Sequence, residues 1–257
     1  MPLLTCYKQK SCAGVDNFYL SQMITNLNIH QLPLREGASA LGLTLSDTQI
    51  AQLLGYHALI QKWNKVYNLT ALRHPDEMLS HHLIDSLTAV GPLQRHIASQ
   101  RQQGALPQTG PVHVLDVGSG GGLPGVVLAI CLPDDVRVTC VDTVNKKAAF
   151  IQQVAVALRL PNLKGLHARV ETVQGGFDVV TSRAFASLID FTAWSRKALQ
   201  PGAVWMAMKG KHPTEELAAL AARSASQPGA GVDVFHVEPL HVPGLDAERC
   251  MVWMRPA

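Results

Sequence analysis

Val114-Leu115-Asp116-Val117-Gly118-Ser119-Gly120-Gly121-Gly122-Leu123-Pro124-Gly125 is the stretch on which the fold turns. A short apolar run leads straight into glycines, and a helix with proline in its first turn follows. A strand, a glycine turn and a helix in that order open the first βα unit of a nucleotide-binding sheet, whose ligands lie outside the carboxyl ends of the strands. Five glycines within positions 118–125 are costly unless a ligand must come close to the backbone.

Outward from this turn, strands and helices alternate. Val112 to Val117 reads as a strand and Pro124 to Cys131 as a helix. Val136 to Val141 is a second strand, and a helix from Asn145 to Arg159 carries Ile151, Val154, Ala155 and Leu158 inward. Further strands are expected at 163–167, 177–181 and 203–208, with helices at 187–199 and 213–224. Such alternation implies a parallel sheet covered on both faces. Val232 to Val237 and Arg249 to Met254 are joined without a helix, so they should pair antiparallel at one sheet edge. The fold class is therefore α/β, a Rossmann-like, mostly parallel seven-stranded sheet with an antiparallel edge, plus an N-terminal helical region.

That region precedes the core. Residues 1–33 show no periodic apolar face and read as a poorly organised extension. Residues 34–96 read as helical, 97–111 as a linker and 112–257 as the ligand-binding core. Ser46-Asp47-Thr48-Gln49 is a capping box, after which Ile50, Leu53, Leu54 and Ala58 share a helical face. A second helix starts near Pro75, with Asp76 and Glu77 in its first turn and a Leu79, Leu83, Leu87 stripe.

Composition sets outer bounds. Of the 257 residues, 47% are hydrophobic and 16% charged, which argues for a sizeable core and against disorder over most of the length. The formal net charge of +3 permits a nucleic-acid partner without demanding one. Five scattered cysteines, never in C-x-x-C spacing, argue against a disulfide framework or a zinc site and for a reducing cytoplasm. No secretory signal and no bilayer-spanning run is visible, so no membrane partner is expected.

Two ligand classes compete for the glycine turn. Gly120-x-Gly122-x-x-Gly125 matches a dinucleotide fingerprint, and Asp142 ends the second strand, placed to bind ribose hydroxyls. The turn, however, begins already at Gly118, with Asp116 two residues before it, in the expected mouth of the site. A carboxylate there suits a ligand bearing an ammonium and a sulfonium better than a pyrophosphate. The Asp-x-Gly-x-Gly form, with Gly118 and Gly120, thus favours S-adenosylmethionine over a nicotinamide cofactor. After the fourth strand stands Thr181-Ser182-Arg183-Ala184-Phe185-Ala186, not the Asn/Asp-Pro-Pro-aromatic turn that serves exocyclic amines. Arg183 matches the N7 and O6 acceptors of guanine, and Phe185 is placed as a stacking ring. Guanine N7 carries a free lone pair, so its methylation needs no base. Cys131 and Cys140 read as core thiols, and His81-His82 lacks the acidic neighbours of a metal site, so no metal is expected. Trp63 and Tyr67, one turn apart, should pack on the core.

The run Trp63-Asn64-Lys65-Val66-Tyr67-Asn68-Leu69-Thr70, then His82-Leu83-Ile84-Asp85-Ser86, the glycine turn, Ser182-Arg183-Ala184-Phe185-Ala186-Ser187-Leu188 and Lys209-Gly210 strongly resemble the RsmG family, also called glucose-inhibited division protein B. The resemblance begins near residue 41 and reaches the end, leaving residues 1–33 outside; Gly121 stands where the family often has proline. It implies a class I methyltransferase that methylates N7 of a single guanosine in 16S ribosomal RNA with S-adenosylmethionine. It also implies cofactor contacts at Gly118, Leu123, Val170, Glu171 and Arg183. The expected partner is 16S rRNA or the 30S subunit rather than DNA, and the expected state a cytoplasmic monomer. A ribosome-assembly or RNA-binding factor with a vestigial cofactor fold is the non-enzymatic alternative.

Overall fold

A computed structural model of the chain describes residues 29–226 and 231–257. Helix α1 spans 29–40. Helix α2 (Asp47–Tyr67) starts at the Ser46 capping box, in which the Ser46 hydroxyl and the Gln49 side chain each serve the other residue's backbone. α3 (Pro75–Met78), a π-helical turn (Leu79–Ile84) and α4 (Asp85–Leu87) follow without a break, and α5 covers Val90–Gln102.

The α/β part then runs β1 (Val112–Val117), α6 (Gly125–Cys131), β2 (Val136–Asp142), α7 (Asn145–Ala157), β3 (Leu163–His167), β4 (Phe177–Arg183), α8 (Leu188–Ser195), β5 (Leu199–Lys209), α9 (Thr214–Ser226), β6 (Val232–Leu240) and β7 (Arg249–Pro256). These strands form one sheet in the order β3-β2-β1-β4-β5-β7-β6. β1 pairs in parallel with β2 and β4, so the glycine turn leaves the centre of the sheet, where the strand order reverses. β7 runs antiparallel to β5, and β6, antiparallel to β7, closes that edge. This agrees with the sequence expectation for the last two strands.

Each face of the sheet has its own core, and strand alternation decides which residue joins which. Val114, Met206 and Met208 pack with α6 and with Leu53, Leu83 and Leu93 of the N-terminal helices. Leu115, Val117, Trp205 and Ala207 pack on the other face with Phe191 of α8 and Leu220 of α9. Every residue of α6 is buried, because α6 is covered by the sheet on one side and by the N-terminal helices on the other. Those helices therefore complete the core of the sheet, rather than standing apart from it.

Several strand and helix ends differ by a few residues, β5 starting at Leu199 rather than 203, and two boundaries of the N-terminal region and linker differ for reasons of packing. The extension was expected to reach residue 33, but 29–33 are helical; residues 1–28 of that extension lie outside the described residues. What docks this segment is a histidine, invisible to an apolar-periodicity test: buried His30 lies 2.8 Å from Asp76 Oδ1 and edge-on to His57. The expected linker at 97–111 begins as helix, since α5 continues to Gln102. Buried Ile97 extends the stripe of Val90 and Leu93, while glutamines and Arg101 fill the solvent side.

Candidate active site

The glycine turn is tied down on every side. Gly118 and Ser119 donate their N–H groups to the Val141 carbonyl at 3.0 and 3.2 Å, anchoring the turn to β2. Gly120 N–H donates to Asp142 Oδ2 at 3.0 Å, and the Tyr56 hydroxyl of α2 donates to the Gly121 carbonyl at 2.6 Å. Gly118 has φ +64°, and a Cβ there would overlap the Phe185 ring. Gly122, at φ +96°, would drive a Cβ into Ile151 and Val126. Above Gly121 nothing lies within 4 Å of such an atom, so the outer face of the turn is open to a ligand.

Asp116 is not in the mouth, contrary to the sequence reading. It shares a sheet face with Val114, and that parity aims its carboxylate under the turn, where Oδ2 accepts the Gly125 N–H at 2.9 Å. Burial pushes its carboxyl up to about 7, although the Gly125 amide pulls the other way. Oδ1 is buried with no partner. The first-turn amide of α6 that a pyrophosphate would approach is thus already held by an acid.

Two cavities open beside the turn and share Gly118 as a wall. One, of about 480 Å³, is lined by Thr70, His82, Asp85, Leu123, Arg183 and Lys209 among others, together with Gly118, Ser119, Gly120 and Gly121. The second, of about 370 Å³, is lined by Asp142, Lys147, Val170, Glu171, Phe185 and Trp194. Together they are of a size to enclose a nucleoside-bearing ligand and part of a substrate. Gly118, Gly120, Leu123 and Arg183 therefore meet in the first cavity, and Gly118, Asp142, Val170, Glu171 and Phe185 in the second.

Phe185 is the correction among these. A ring stacking on the same guanine that Arg183 faces was expected, but the two side chains enter different cavities. Ala184 and Ala186 have φ of 54° and 50°, so the chain leaves strand geometry after Arg183 and the alternation no longer applies. Phe185 lies against Gly118 and edge-on to Trp194, with centroids 6.0 Å apart.

Arg183 is also more committed than the sequence suggested. Its Nη1 donates to Asp85 Oδ2 at 2.7 Å and to the His81 carbonyl at 2.9 Å. Asp85 Oδ1 accepts from Arg249 Nε, also at 2.7 Å. One buried carboxylate thus orients two guanidinium groups that line the first cavity, and that wall keeps a net positive charge. His82 sits beside them, Nε2 2.7 Å from the Thr70 hydroxyl. Burial, helped by the Arg183 charge, pushes its imidazole down to about 4, so it is neutral at physiological pH.

In the second cavity Asp142 Oδ1 accepts the Val144 N–H at 2.8 Å, while Oδ2 accepts the Gly120 N–H and lies 3.5 Å from the Lys147 ammonium. Asp142 thereby fixes the chain just ahead of α7, which has no side-chain cap of its own, yet a carboxylate keeps further lone pairs for hydroxyl donors. Arg169 hydrogen-bonds Glu171 and holds that carboxyl below the usual range. Ser119 Oγ is buried beneath the turn, beside the Cys140 thiol. The open turn and the lone pairs that Asp142 keeps for hydroxyl donors fit the polar ends of S-adenosylmethionine.

The Trp63–Thr70 motif turns out to be scaffolding for the site. Buried Asn64 donates to the Leu72 carbonyl and accepts from Thr70 N–H, which holds Thr70 against His82. Trp63 packs on Phe150, as expected, whereas Tyr67 rests on Trp63 and stays partly exposed. Lys209, part of the Lys209-Gly210 motif, is bound by Glu216 at 2.8 Å. Tyr56, Asp85, Arg249 and Glu216 had no role in the sequence reading. Tyr56 had left a signal, since it falls on the buried face of α2. The other three matter through contacts between distant segments, which no local pattern reports.

Residues 49–240 match the family model described as GidB, rRNA small subunit methyltransferase G. The chain belongs to this family. Proteins named ribosomal RNA small subunit methyltransferase G are similar to it over most of both chains. That of Acidovorax ebreus is 66% identical over 223 residues, 87% of this chain and 94% of the relative. That of Verminephrobacter eiseniae is 53% identical over 245 residues, 91% and 99% of the two chains. Among solved structures, a SAM-dependent methyltransferase from Aquifex aeolicus superposes with a TM-score of 0.50 at 15% identity, covering 74% of this chain and 97% of that one. That likeness concerns the fold alone. Within the small-subunit rRNA methyltransferase G frame, the Gly121 carbonyl of this loop is the one Tyr56 fixes.

Proposed function

We propose that this member of the small-subunit rRNA methyltransferase G family transfers a methyl group from S-adenosylmethionine to N7 of a guanosine in 16S rRNA. In this reading Asp142, Val170 and Glu171 hold the adenosine, and Gly118, Gly120 and Leu123 border the methionine end. Arg183 faces the guanine and Phe185 closes the adenosine side. The observation that carries it is the shared wall at Gly118: a cavity with an acid at the end of β2 meets a cation-lined cavity across one glycine. The cofactor supplies an electrophilic methyl on a sulfonium. The lone pair of N7 forms the new C–N bond, the C–S electrons stay on sulfur, and the positive charge passes to the guanine ring.

No proton leaves in that exchange, and the first cavity suits a reaction without a base. His82 is neutral but bound to Thr70, and Asp85 is shared between two arginines. Catalysis then comes from holding two reactants in line and excluding water. Among the described residues no helix is long and apolar enough to cross a membrane and no cluster suits a metal ion, and we read the enzyme as a cytoplasmic monomer acting on rRNA or the 30S subunit rather than DNA.

Calorimetry with S-adenosylmethionine and NADH, followed by transfer of labelled methyl to naked 16S rRNA, 30S subunits and unrelated RNA, tests the reading. Binding of S-adenosylmethionine alone, with label on N7 of one guanosine, is expected. Cofactor binding without transfer to any RNA would favour a non-catalytic assembly factor, and NADH binding would overturn the cofactor.

A further inference from the structure

Two alternate positions after β4, Ala184 and Ala186, hold left-handed φ values of 54° and 50°. In an L-residue that conformation presses Cβ toward the following carbonyl, so surrounding contacts must enforce it. The enforcing group is on α9. Glu216 Oε2 accepts the Leu188 N–H at 2.7 Å and the Lys209 ammonium at 2.8 Å, and Oε1 accepts the same ammonium at 3.0 Å. Lys209 in turn donates to the Ala186 carbonyl at 3.2 Å. One carboxylate therefore grips the turn at its end directly and at its middle through a lysine.

What the turn accomplishes is the separation of Arg183 from Phe185. Strand alternation would send residues 183 and 185 to the same side. The left-handed Ala184 instead leaves Arg183 on Asp85, in the first cavity, and lays Phe185 on Gly118, in the second. We propose that Glu216 is a positioning residue for methyl transfer. Acting through Lys209 and the Leu188 amide, it keeps the β4–α8 turn in the form that assigns Arg183 to the target base and Phe185 to the cofactor. The proposal rests on the methyl-transfer reading above. Glu216 itself lines neither cavity, so its kinetic effect passes through the turn.

Glycine supplies the discriminating test, because it adopts left-handed φ without the Cβ penalty. Three variants are compared with wild type: Glu216→Gln, Glu216→Ala, and Glu216→Ala combined with Ala184→Gly and Ala186→Gly. Affinity for S-adenosylhomocysteine is read by calorimetry, kcat and KM on 16S rRNA by labelled methyl transfer, and folding by melting temperature. Glu216→Ala should weaken S-adenosylhomocysteine and lower kcat, each about tenfold, while melting within a few degrees of wild type. Glu216→Gln, which keeps an acceptor for Leu188, should fall between, and the glycine pair should recover most of the loss. Wild-type constants in Glu216→Ala would overturn the proposal. So would a loss that the glycine pair leaves untouched, which would make Glu216 a support for α9 only. Should Glu216→Ala fail to fold, Glu216→Gln with and without the glycine pair decides the same question. A wild type that binds cofactor yet methylates no RNA would instead remove the functional reading, with the binding measurements still judging the turn.

Discussion

Two single residues, Gly118 in the turn and Asp116 beneath it, set much of the behaviour of this site. Gly118 combines φ +64° with a ring pressed against its Cα, so a β-branched residue there faces both backbone strain and overlap. Gly118→Val should abolish measurable S-adenosylmethionine binding while the sheet survives; wild-type affinity by calorimetry would remove the turn from the site. Asp116, beneath it, titrates anomalously. The ordinary carboxyl value is 3.8 and the folded one about 7. Between those limits the folded chain holds a proton that the unfolded chain has released. This group's contribution to stability is therefore complete below about pH 4 and is lost as pH rises toward 7. Asp116→Asn removes the titration. Its stability relative to wild type should improve from pH 4 to 7 by up to about 1.4 kcal/mol per pH unit, as read by urea unfolding. A pH-independent difference would contradict the buried, largely protonated acid.

At the scale of elements, α2 reaches the cofactor turn across the core through one hydroxyl. Tyr56→Phe keeps the buried ring but removes the bond to the Gly121 carbonyl. That loss is worth about 1 kcal/mol, so S-adenosylmethionine affinity should fall about fivefold with little change in melting temperature. Unchanged affinity would mean that the glycine turn holds its shape alone. Elements were legible wherever period and punctuation coincide. β1 ends where glycines begin, and its bounds match the expectation; the Ser46 capping box marks the start of α2. Legibility failed where tertiary contact replaces local pattern. The helix at 29–33 docks through a histidine, the π-helical turn at Leu79–Ile84 interrupts an otherwise regular leucine stripe, and Phe185 changes side because of two alanines whose left-handed φ has no sequence signature. The site was read in the same uneven way. Gly118, Gly120 and Asp142 follow from the turn itself, and Val170 and Glu171 came only from family resemblance. The partners of Arg183, on the π-helical turn and α4, required the fold.

Across the whole molecule, the N-terminal helices and the sheet converge on one cleft from opposite sides. The N-terminal region contributes Thr70 from the segment after α2 and His82 and Asp85 from its helices, and the strand ends contribute Arg183, Lys209 and Arg249. Every charged group in that list is paired, and His82 is held neutral, so the assembly is built for alignment rather than for moving protons. His81 is the other imidazole on the cavity wall. The direct test of this account is the pH dependence of the methyl-transfer step, measured in single turnover with 16S rRNA at saturating S-adenosylmethionine, for wild type and His81→Ala. N7 methylation by alignment predicts a rate nearly flat from mildly acidic to mildly basic pH, and the same flat profile in the variant. A rate rising tenfold per pH unit near neutrality, lost in His81→Ala, would reveal an essential base and contradict it.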